Sequence, residues 1–147
     1  MNCTIKLINY SPVKSLSLQS INSCQIKKNL GMPNDRIFAF SRGIDYEKAK
    51  TIEKNPKERK LNNFLTLKNS PVLNKYNFSY NGNKLALILD GEEIISISAD
   101  DQNEKSSLSK KLFELESTLI NPIILLKILN IHFMIPPIQI MFLILSR

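Results

Sequence analysis

Residues 1–117 read as a mainly β domain, a small antiparallel β-barrel with one or two short helices, and residues 118–147 as an apolar C-terminal tail of a different character. Three observations carry this. Strand-like runs over 76–80, 84–89 and 92–98 are joined through Asn81-Gly82 and Asp90-Gly91, dipeptides that favour two-residue hairpin turns. Further short apolar runs upstream bring the expected total to six or seven strands, enough to close a small barrel. Finally, composition changes abruptly near residue 117.

Taken in order, residues 3–9 and 16–26 alternate well enough for two strands, with Leu16, Leu18 and Ser20 opposed to Ser17, Gln19 and Ile21. Residues 29–34 have turn chemistry, Gly31 being free to take positive φ. Ile37-Phe38-Ala39-Phe40 reads as a buried strand stopped at Arg42-Gly43. The densely charged stretch 45–63 reads as a solvated, mobile excursion with one helical turn near 46–52. Residues 64–67 return to the sheet, and Pro71 marks the exit. On the strand 76–80, Tyr76, Phe78 and Tyr80 share one face. An inward-facing stripe is the plain reading; a base-stacking platform for single-stranded nucleic acid is the sharper one. Residues 106–116 suggest a helix with Leu108, Leu112 and Leu115 on one side and serines available near its start as caps.

The 147-residue chain carries 20 basic and 13 acidic residues, a formal charge of +7. The charge is dispersed, which suits solubility and a mild preference for anions more than nucleic-acid binding. Residues 1–117 contain no histidine, so no Ser-His or Cys-His pair and no zinc set is available there. Cys3 and Cys24 lack a CxxC spacing and read as reduced, small core residues on strands, in a cytoplasmic setting.

One constellation suggests chemistry. Pro12 bends the chain just before Lys14 and Ser15, and Arg36 follows Asp35 at the start of the 37–40 run. An ammonium group, a hydroxyl and a planar guanidinium converging on one point suit a phosphate oxyanion. The plainer reading makes Lys14 a solvated turn lysine and pairs Arg36 with a neighbouring carboxylate.

Tyr10-x-Pro12-Val13-Lys14-Ser15-Leu16, then Gly31-x-x-x-Asp35-Arg36, then Leu65-Thr66-Leu67-Lys68-Asn69-Ser70-Pro71, resemble the N-terminal β-barrel domain that precedes the MOSC domain in molybdenum-cofactor sulfurases and amidoxime-reducing proteins. The resemblance covers residues 3 to about 117 through short motifs in the family's order and spacing. It implies that Lys14, Ser15 and Arg36 hold the phosphate of the molybdopterin cofactor, and that a missing or separate MOSC domain supplies the metal-ligating cysteine and most of the substrate pocket. By itself this chain is then not expected to be catalytic. Lys68 departs from the pattern, standing where the family has arginine; it keeps the charge and loses the fork.

The tail has no Asp, Glu, Gly, Ala or Val, and nearly two thirds of it is Ile, Leu, Met or Phe. Its uncharged run over 128–146 is almost long enough to cross a bilayer, but Pro136-Pro137 at its centre would break a spanning helix. The favoured reading is out-of-frame or truncated sequence, which would make His132 an accident and not a ligand. The alternatives are a small barrel binding anions or single-stranded nucleic acid, and an adaptor tethered to a membrane through the tail.

Overall fold

The computed structural model describes residues 4–26 and 31–128. Among them are seven strands and two α-helices, so the fold is mainly β. β4 (Tyr76–Tyr80), β5 (Lys84–Leu89) and β6 (Glu92–Ser98) form the expected antiparallel meander, with bounds equal to the runs read from sequence. Asp90 (φ 53°) and Gly91 (φ 86°) both take left-handed backbone, as a type I′ hairpin turn requires. A register shift at Leu87/Ile88 places a bulge in the β5–β6 pairing.

The barrel does not close. Among the described residues, β1 (Ile8–Tyr10) forms one two-stranded ribbon with β2 (Gln19–Ile21), and β3 (Phe38–Phe40) another with β7 (Leu125–Lys127). These four strands have three residues each, too short to make a continuous hydrogen-bonded circuit. Side chains serve where a neighbouring strand would pair with β4. Ser17 Oγ accepts from Phe78 N (2.7 Å), Gln19 Oε1 accepts from Tyr80 N (3.0 Å), and Gln19 Nε2 donates to Tyr80 O (3.2 Å). The expected strand over 64–67 contributes one bridge, Ser41 to Phe64.

The charged stretch 45–63 is built into the fold rather than left as an excursion. Asp45 caps α1 (Tyr46–Lys54) by accepting from Lys48 N, and Ala49 and Ile52 of α1 are buried. Arg59 then donates to the carbonyls of Ile52 and Glu53 near the end of α1, satisfying acceptors the helix leaves open. α2 (Gln102–Leu115) begins four residues before the expected start because Asp101 caps it, accepting from Asn103 N and Glu104 N. Leu108 and Leu112 are fully buried and Leu115 packs against the same core.

Residues 123–128 belong to the packed structure. Ile123, Leu125, Leu126 and Ile128 are buried, and β7 alternates between two cores. Leu125 joins Phe38, Phe40, Tyr76, Phe78, Tyr80 and the α2 leucines; Leu126 and Ile128 join Ala39, Ala49, Ile52 and Phe64. The β3–β7 ribbon is therefore covered on both faces, which explains why the 37–40 run is apolar without alternation. His132, the proline pair and, apart from Ile128, the uncharged run over 128–146 lie outside the described residues, as does Cys3. Cys24 is half-buried and lies outside any strand, so the expected core position on a strand is not where it sits.

Candidate functional site

Two turns next to β3 shape the site. The Leu16 amide donates to the Val13 carbonyl (3.1 Å), so Lys14 and Ser15 are the central residues of a tight turn. Ser15 takes φ 58°, the left-handed value that the second central residue of a type II turn needs and that glycine or asparagine ordinarily supplies. Buried Ser11 braces the turn from within, its Oγ lying 2.6 Å from the Val13 carbonyl and 3.3 Å from that of Leu16. The second turn spans 32–35, with Pro33 and Asn34 (φ 64°) at its centre, and Arg36 directly after it takes φ 53°. Non-glycine residues in this region cost roughly 1–3 kcal/mol each, so the chain accepts strain at both Ser15 and Arg36.

Backbone hydrogen bonds fix the two turns side by side. Arg36 N donates to Ser11 O (2.6 Å), Phe38 N to Pro12 O (3.0 Å) and Lys14 N to Phe38 O (2.8 Å), around a parallel bridge between Val13 and Phe38. The Asp35 carboxylate adds a further tie, its Oδ1 accepting from Ser11 N (3.1 Å) and its Oδ2 from Arg36 Nε (2.7 Å). This ion pair is the neighbouring-carboxylate contact that the plainer reading foresaw for Arg36.

Lys14 and Arg36 are brought within electrostatic reach of one another. Burial, and after it the Arg36 charge, hold the Lys14 ammonium below the usual lysine pKa. Lys14 and Ser15 are half-buried, and the Arg36 side chain is 42% exposed. Two cations, one partly offsetting carboxylate and a half-buried hydroxyl therefore share one rim of the fold. Such a surface can accept an oxyanion through charge-assisted hydrogen bonds. Lys68 is exposed on a turn braced by Asn69, whose Oδ1 accepts from Thr66 N (2.9 Å).

Sequence reasoning did not single out Ser11 and Asp35 as the braces of this site; the Asp-Arg pair within the second motif was their only local signal. Tyr76, Phe78 and Tyr80 are buried, with Tyr80 edge-on to Phe38 (5.2 Å), so their faces are spent on the core. Among the described residues there is no group of three or more His, Cys, Asp and Glu side chains arranged to hold a metal ion. No helix among them is long and apolar enough to cross a membrane. No protein-family model, curated protein or solved structure matches this chain.

Proposed function

We propose that the chain binds a phosphate group or a like oxyanion at Lys14, Ser15 and Arg36, as the phosphate-holding part of a cofactor-binding protein. The observation that carries this is the pairing of two like charges by strained backbone: Lys14 and Arg36 are held together where mutual repulsion and burial both disfavour it. Both charges would attract a bound oxyanion, with the Asp35 carboxylate offsetting part of that pull.

Molybdopterin, which the resemblance favours, fits at its phosphate end only. The ammonium, hydroxyl and guanidinium suit that group, while the pterin and its metal would need walls from a further domain such as MOSC. When bound, that cofactor supplies metal-centred redox or sulfur chemistry; Lys14, Ser15 and Arg36 would hold and orient its phosphate.

Calorimetric titration with inorganic phosphate, or with a phosphorylated pterin, tests the reading. Lys14→Ala and Arg36→Ala should each weaken binding by about tenfold or more, since a charge-assisted hydrogen bond contributes about 1.5–3 kcal/mol. Unchanged affinity in both variants would overturn it. The pH dependence follows from Lys14. Its pKa lies below 10.5 in the free protein and a bound anion raises it, so binding takes up a proton where the two values differ. Affinity should be full below the lowered value and decline as pH rises through it.

A further inference from the structure

We infer that Asp35 is the positioning residue of this anion site, holding Arg36 by Nε so that the terminal guanidinium nitrogens are presented to the ligand. The inference rests on the proposed anion site and adds a residue to it. A carboxylate beside a binding arginine can act in two opposite ways. As a mere counter-charge it competes with the ligand and weakens binding; as a fixed anchor it orders the guanidinium in advance and strengthens binding.

The geometry favours the anchor. Asp35 is the better-buried member of the pair, its side chain 21% exposed against 42% for Arg36. It is itself fixed, because Oδ1 accepts from the Ser11 amide while Oδ2 takes Arg36 Nε. Ser11 in turn accepts from the Arg36 amide, so residues 35 and 36 grip the residue that braces the Lys14 turn at both its N–H and its C=O. The carboxylate thus sets the spacing of the two cations as well as the direction of one. Only Nε of Arg36 is used; its terminal nitrogens make no other hydrogen bond among the described residues. That leaves the bidentate end of the fork for a tetrahedral oxyanion.

The test is a double-mutant cycle on the full chain, with inorganic phosphate as probe and thermal melting alongside. Asp35→Asn keeps an oxygen for the Ser11 amide and makes the site more positive by one charge. It should nevertheless weaken phosphate binding by about five- to tenfold. In an Arg36→Ala background the same change should leave affinity equal or better, because no guanidinium remains to be held. An Asp35→Asn protein that binds phosphate as well as the parent, or more tightly, overturns the inference and leaves a simple counter-charge. An equal loss in both backgrounds overturns it as well, the effect then being on the turn through Ser11. If Asp35→Asn melts markedly lower, Asp35→Glu keeps the charge and misplaces it; weaker binding supports the anchor and parental binding refutes it. A parent chain that does not bind phosphate refutes the anion site and this inference together.

Discussion

Ser15 stands where the turn asks for glycine. Its left-handed φ of 58° costs roughly 1–2 kcal/mol for a residue with a Cβ, and glycine would remove that cost while losing more entropy on folding. Ser15→Gly should therefore stabilise the fold by up to about 1 kcal/mol, read as a higher urea midpoint with an unchanged slope. If Ser15 donates to the anion, the same variant binds phosphate more weakly. A gain in stability with a loss of affinity marks a residue kept for its hydroxyl; a loss of both marks a purely structural one. Arg36 resembles it in one respect, a strained residue (φ 53°) carrying a side chain the site needs. Both residue types were legible as candidates in the sequence, but their conformations were not. Left-handed backbone at a non-glycine position is imposed by the neighbouring turn and strand contacts, and no local propensity announces it.

Beyond its own packing and its pairing with β3, β7 is tied by side chains from other elements. Glu53 of α1 accepts from Lys127 N (2.8 Å) and from Lys105 Nζ of α2 (3.0 Å), so one carboxylate joins two helices to the strand. Ser109 Oγ of α2 accepts from Leu125 N (2.9 Å), Ser41 Oγ accepts from Ile124 N (2.9 Å), and Lys127 pairs with Asp100. Lys105 is buried, so removing Glu53 leaves a buried charge without its hydrogen-bonded partner. Glu53→Ala should cost about 3–5 kcal/mol, measurable by denaturant unfolding, whereas Glu47→Ala on the exposed side of α1 should change stability by about 0.5 kcal/mol or less. The stretch 45–63 looked like a solvated excursion because its charges are dense. The buried positions Ala49 and Ile52 are too few to make a strong periodic signal, and the partner of Glu53 lies on an element fifty residues away.

The packed unit depends on residues beyond the composition break. Burying Ile123, Leu125, Leu126 and Ile128 at about 1.5–3 kcal/mol each is comparable with the whole stability of a typical domain. A chain ending at residue 117 should be unfolded by circular dichroism and one ending at residue 128 folded; a cooperative melt from the shorter chain would contradict this packing. By contrast, Ile5, Leu7, Leu18 and Ile26, which flank the short strands β1 and β2 in sequence, are 66–78% exposed. Alternation over 16–26 grouped Leu16 with Leu18, yet Leu16 is buried, Leu18 is exposed, and only Gln19–Ile21 of that run is strand. A two-stranded ribbon has a face to spare wherever nothing is laid over it.

Local order was readable in the residues alone. The β4–β5–β6 meander, its Asp90-Gly91 turn and the apolar stripe of α2 rest on two-residue and 3.6-residue periods and on turn dipeptides, all of which act between neighbours in the chain. Closure, pairing and the site geometry were decided only when distant segments met. β7 lies more than eighty residues from β3 and resembles any other apolar run until both of its faces are covered. The circuit stays open because strands of three residues cannot complete it, a limit that alternation alone does not reveal. Lys14 and Arg36 are twenty-two residues apart in sequence. They become one electrostatic unit because the Val13–Phe38 bridge and the Ser11–Asp35 clamp bring their turns together.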